Sequence, residues 1–341
     1  MRNRVPVAVG LLFGLVASPG CESPEDDGVL YQESVLPAVD MHLHTGEWSL
    51  IPPATQEYLA RNFPFPFSLD PGVLAYSALS AKGLVKELDR AGLDKGVVYA
   101  VYAPNSVGVA TNEHVIKQLE AAPDRLWGFA SLRVDRWQEE SEKQLAALEA
   151  ALEHPQMIGI KIAHAHMHFR MDDPDYYGIY EVAEKTQAPV YLHTGPSPFP
   201  GTMAAPPYTD AAYLEDAIAA YPNVVFILGH VGYDFINRTL GTLETCLSLA
   251  KTYENVYLEA SALGSHGSDS GENDYQTVLQ RVREEGLVDR LLYGSDGPQF
   301  PGFLQGYAER TVTAMDLANY STEEAQKVFN DNFYWLFGSK L

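Results

Sequence analysis

Eight short apolar runs, separated by stretches with helical spacing, constrain this chain more than any other feature. The runs cover residues 38–42, 96–101, 126–131, 157–162, 190–193, 224–228, 256–259 and 290–293. Between them, residues 81–91, 112–121, 139–153, 176–185, 211–220, 237–251 and 275–285 place apolar side chains three and four apart. Near-continuous apolar strands alternating with amphipathic helices mean a parallel sheet covered on its outer face. Eight such units in 341 residues predict a single α/β domain, a (β/α)₈ TIM barrel over 36–341. A doubly wound sheet is the alternative. It is disfavoured because no Gly-x-Gly-x-x-Gly follows the first run.

In such a barrel, functional groups belong at the C-terminal ends of the strands. The first run ends in Asp40-Met41-His42-Leu43-His44. Side chains alternate along a strand, so His42 and His44 share a face and can chelate one metal ion. Read alone, the pair is equally two polar residues at a strand end. The pattern recurs, however: the runs at 190, 224 and 290 lead to His193, His230 and Asp296, and the run at 157 carries Lys161.

Taken together, Asp40–His44, Gly159-Ile160-Lys161, Leu192-His193-Thr194-Gly195, Gly229-His230 and Tyr293-Gly294-Ser295-Asp296 resemble the amidohydrolase superfamily. The likeness is to its amidohydrolase-related branch, which holds aminocarboxymuconate-semialdehyde decarboxylase, resorcylate decarboxylases and several lactonases. The closing 330–337 segment fits the same branch. The resemblance implies that His42, His44, His193 and Asp296 hold one Zn²⁺ or another divalent transition metal. It implies that His230 and Asp296 transfer protons. Lys161 is either a carboxylated bridge to a second metal, as in binuclear relatives, or a free amine that pairs with an anion or with Asp296. The implied activity is metal-dependent hydrolysis of an ester, lactone or amide in a small organic molecule. Nonoxidative decarboxylation of a small aromatic or unsaturated acid is the alternative. A catalytically inactive lipidated binding protein is the third reading.

Other residues are less defined. His164, His166 and His168 read as a solvated polar loop, with a metal cluster as the alternative. Arg170 suits either a substrate carboxylate or the surface. Glu259 is a candidate partner behind the ligands, and His266 is unassigned. The Pro- and aromatic-rich segments 47–76 and 195–208 read as long loops over the pocket, with Trp48, Tyr102 and Phe199 as candidate walls. Cys246 reads as a core residue.

At the N-terminus, Arg2 and Arg4 precede an apolar stretch over 5–17 and then Ser18-Pro19-Gly20-Cys21. The order resembles a bacterial lipoprotein signal, although Ser18 stands where Leu or Val is usual. It predicts a signal peptide over 1–20, a lipidated Cys21, an acidic linker over 21–35, and a protein facing the periplasm or the exterior. Plain secretion is the alternative. The formal charge of −22 disfavours nucleic acid as a partner. A small-molecule substrate is expected, with membrane contact only through the lipid anchor and a homo-oligomer as an open alternative.

Overall fold

The computed structural model describes residues 28–63, 65, 67–263 and 269–341, with the side chains of 67 and 269–272 left aside. The signal segment, Cys21 and His266 lie outside the described residues. Eight strands form one sheet: β1 (Val39–His44), β2 (Lys95–Tyr99), β3 (Leu126–Ala130), β4 (Met157–Ile162), β5 (Val190–His193), β6 (Phe226–Gly229), β7 (Val256–Glu259) and β8 (Leu291–Leu292). They pair in sequence order, and every pair is parallel. The ring closes between β1 and the end of β8. Met41 N donates to Tyr293 O at 3.1 Å, and Asp296 N donates to His42 O at 3.0 Å. The fold is the (β/α)₈ barrel that the apolar runs predict.

Two apolar layers follow from the strands' alternation. Val39, Met41, Val97, Tyr99, Phe129, Ile158, Tyr191, Ile227 and Tyr257 fill the barrel interior. Leu43, Val98, Ile160, Leu192, Leu228 and Leu258 face the helices in the outer layer. The C-terminal helix Asn332–Phe337 closes the bottom of the barrel. Its Phe333 stacks on Trp127 at 5.3 Å between ring centroids, and Phe337 meets Phe129 at 5.8 Å. The opposite end stays open for the site.

Three local features depart from the sequence reading. The stretch read as linker to residue 35 contains an antiparallel hairpin, Val29–Tyr31 with Ser34–Leu36. Tyr31 is fully buried and donates to Tyr320 O at 2.8 Å, so this segment does contribute to the core. Segment 47–76 is not a bare loop. It carries the helices Pro53–Asn62 and Pro71–Ala78, each begun by a proline whose missing N–H is harmless there. Finally, β1 shifts register against β2 between Asp40 and Leu43. Val39 and Met41 face inward below the shift, whereas Leu43 faces outward above it. The bulge re-aims the strand end.

Candidate active site

The bulge sets His42 and His44 over the interior cluster, at the floor of a cavity of about 200 Å³ on the C-terminal side of the barrel. His193, His230, Asp296 and Lys161 line the same cavity. The structure therefore brings together every strand-end residue singled out in the sequence. His42, His230 and Asp296 each offer one ligand atom, all within 4.8 Å of one another. His44 joins through Asp296, its Nε2 2.8 Å from Oδ1. His193 joins through His230, with ring centroids 4.6 Å apart.

A buried network behind the floor residues orients two of the imidazoles. Glu259 Oε2 accepts from the Tyr191 hydroxyl at 2.8 Å and from Ser261 Oγ at 3.0 Å. Those two oxygens are then free to accept. His42 Nδ1 lies 2.9 Å from Tyr191 and 3.1 Å from Ser261 Oγ, and His230 Nδ1 lies 2.9 Å from Ser261 Oγ. The arrangement assigns the ring proton to Nδ1 in both histidines and leaves each Nε2 lone pair for the cavity. Glu259 was expected behind the ligands. Tyr191 and Ser261 were not singled out, because nothing in a linear sequence marks a tyrosine inside a strand as a histidine's partner. Gly229 belongs to this network too: a Cβ there would overlap the Tyr191 hydroxyl. Its role is to admit that ring.

Burial sets most of the charges here. It pushes His42 and His193 well below the ordinary histidine range, Lys161 adding to the effect on the first and His230 on the second. His230 falls to about 4, again through burial. Burial pushes Asp296 upward, but the His44 hydrogen bond, first among the opposing effects, holds it below its usual value. The floor therefore presents neutral imidazoles at His42, His193 and His230 and a carboxylate at Asp296, a donor set that suits a transition metal. Burial also raises Glu259 to about 8 and lowers Lys161 to about 7. Glu259 Oε1 has no partner, so a proton there leaves Oε2 accepting as described.

Several lesser expectations are corrected. Lys161 forms no ion pair with Asp296; its ammonium sits over the rings of Tyr191 and Tyr99, 3.8 and 4.8 Å from their centroids. His164 and His166 are not solvated. They begin a one-turn helix, His164–Met167, and both are buried. His166 lines the cavity 4.9 Å from the His193 ring, while only His168 is exposed. Arg170 lies at the surface, paired with Asp172 at 2.6 and 2.8 Å. Of the candidate walls, Trp48 and Phe199 line the cavity; Tyr102 instead accepts from Asn112 N.

Residues 39–338 match the amidohydrolase family. The chain belongs to that family. It is an enzyme fold whose solved neighbours include both hydrolases and decarboxylases. An uncharacterised TIM-barrel protein from Bordetella bronchiseptica shares 18% identity at a TM-score of 0.67, over 89% of this chain and 99% of its own. A probable 2-pyrone-4,6-dicarboxylic acid hydrolase from Acinetobacter baumannii gives 18% and 0.62, over 89% and 100%. A 2,6-dihydroxybenzoate decarboxylase from Rhizobium gives 17% and 0.60, over 90% and 99%. No curated protein matches the sequence.

The donor set fits the metal that this family typically uses. His193 Nε2 is buried and has no hydrogen-bond partner, while His42 Nε2, also buried, lies 3.1 Å from Asp296 Oδ1 without a hydrogen bond between them. A buried imidazole nitrogen left unpaired is costly unless something takes its lone pair. The unpaired His193 Nε2 and the His42–Asp296 contact thus make this cavity a candidate cation site.

Proposed function

We propose that this amidohydrolase is a metal-dependent hydrolase of an ester, lactone or amide bond in a small molecule, with zinc as its metal. The observation that carries the reading is the buried His193 Nε2 without a hydrogen-bond partner, in the same cavity as His42 Nε2, which lies 3.1 Å from Asp296 Oδ1. With His44 they are the residues that would hold the ion. When bound, a zinc ion supplies Lewis-acid polarisation of the substrate oxygen and acidifies water. Asp296 Oδ1 faces both His44 Nε2 and His42 Nε2, at 2.8 and 3.1 Å, so it is the oxygen that would turn to the ion with them, and the second oxygen would accept the attacking water's proton. His230 Nε2, kept unprotonated by the Nδ1 contact to Ser261, is the second proton site.

Elemental analysis after mild dialysis should give about one transition metal per chain. Activity should be screened against esters, lactones, N-acyl compounds and aromatic acids, with and without chelator. Full activity without metal would overturn the reading, and CO₂ release from the acids without hydrolysis of the others would move it to decarboxylation. His230→Asn should lose roughly 10²–10⁴ in turnover with metal retained. Loss of the metal in that variant would instead make His230 a ligand, as its place beside His42 and Asp296 permits.

The order of Arg2, Arg4, the apolar 5–17 stretch and Cys21 supports export and acylation of Cys21. Mass spectrometry of the native N-terminus tests this, and an unmodified start elsewhere would exclude it.

A further inference from the structure

The walls of the cavity differ in chemistry from its floor. Above the metal-binding residues, the helix Pro53–Asn62 contributes Tyr58 and Leu59, and Phe63 follows it. Phe199 and Phe235 face them from the loops after β5 and β6. Leu79, at the end of the helix Pro71–Ala78, adds a further apolar side chain. Among the described residues no arginine lines the cavity, and Lys161 is its one lysine, held at the floor over Tyr191. The segments 64–67 and 264–272 contain neither arginine nor lysine. Arg170, the one arginine with a sequence argument for binding a carboxylate, is engaged by Asp172 at the surface. The one charged wall residue is acidic: Glu47 lines the cavity with its side chain 61% exposed. The whole chain carries −22.

An anionic group lodged in these walls would lose its hydration without gaining a cationic partner among the residues that line them and would meet a like charge at Glu47; Arg238, whose charge reaches the Tyr58 hydroxyl, is exposed outside the lining. An apolar group would gain burial at no such cost. We propose that the substrate is uncharged away from its scissile bond and carries a bulky apolar substituent, seated against Tyr58, Leu59, Phe63, Phe199 and Phe235. The inference rests on the hydrolase reading for the direction in which the substrate lies, with its polar linkage at the floor. A neutral alkyl or aryl lactone or ester fits; a substrate with a free carboxylate in its side chain does not.

The test uses two matched pairs of probes titrated into the purified protein by calorimetry. Hexanohydroxamic acid and adipic acid monohydroxamate share a metal-binding head and differ by a terminal carboxylate. 2-Heptanone and 6-oxoheptanoate share a ketone head and differ in the same way. In each pair the neutral-tailed member should bind at least roughly tenfold tighter. Leu79→Arg should close or invert that gap, and Glu47→Gln, an exposed and structurally mild change, should narrow it. Equal or tighter binding of the carboxylate-bearing member in both pairs would overturn the proposal. Failure of the hydrolase reading looks different: neutral esters would go uncleaved while the preference of the second pair for 2-heptanone persisted.

Discussion

His164 gives the most quantitative prediction. It is 1% exposed, its ring centroid lies 4.5 Å from that of Phe169, and its Nδ1 has no hydrogen-bond partner. It lies outside the cavity lining, so a bound metal does not hold it. Burial alone lowers its pKa from 6.5 to about 3. The unfolded chain therefore takes up a proton that the folded chain refuses. The neutral ring's stability is intact above 6.5 and is lost as pH falls from 6.5 toward 3. Integrating from about pH 7.5 to about pH 5.0 gives a loss of ~2 kcal/mol from this one residue. His164→Leu keeps an apolar group of similar size and removes the proton site. Urea unfolding of the metal-loaded protein at both pH values measures the difference. The wild type should lose ~2 kcal/mol more than the variant between them. Equal losses would show that His164 is solvated or partnered, and the argument from its burial would fail.

Other consequences follow from the network and the core. Glu259→Gln should loosen the orientation of His42 and His230 and reduce metal affinity roughly 10–100-fold, read by competition with a chelator, while leaving the fold intact. Gly229→Ala should push the Tyr191 ring out of place, costing about 1–3 kcal/mol in thermal or urea unfolding and lowering metal affinity with it. Cys246 is fully buried with its thiol pushed up to about 12 by burial, so a maleimide should label it only on unfolding. Labelling of the native protein at a rate set by reagent concentration would contradict that environment.

The barrel was legible because each strand is buried on both faces and each helix on one. Those two patterns survive in a linear sequence without knowledge of partners. The eight strands accordingly lie within a few residues of the apolar runs. The helix Phe303–Leu317 went unassigned although its buried Phe303, Leu304, Tyr307, Ala308, Thr311 and Met315 keep three-to-four spacing. Gly306 and the charged pair Glu309-Arg310 interrupt that spacing to the eye but not in space. The helices of segment 47–76 were masked by their prolines, which read as breakers and act as N-terminal residues. The buried Tyr31 was missed because its main polar partner, the carbonyl of Tyr320, is 289 residues away.

The site divides along the same line. His42, His44, His193, His230 and Asp296 were legible because each follows an apolar run, and topology alone carries strand ends to one place. Partners that depend on side-chain direction were not. Ser261 and Tyr191 act only because β5, β6 and β7 lie side by side, and His166 only because a one-turn helix folds it inward. The backbone marks the region as well. His230 (φ 61°), Val231 (φ 46°), Ala262 (φ 62°) and Asp296 (φ 64°) all adopt left-handed conformations just beyond β6, β7 and β8. None is glycine, and Val231 is β-branched, so local preference opposes each of them. They persist because the surrounding contacts over-determine them: His230 N donates to Glu259, and Asp296 N donates to His42 O. Strain of this kind gathers where geometry serves chemistry rather than stability. Two of the four, His230 and Asp296, line the cavity that also holds His42 and the unpaired Nε2 of His193.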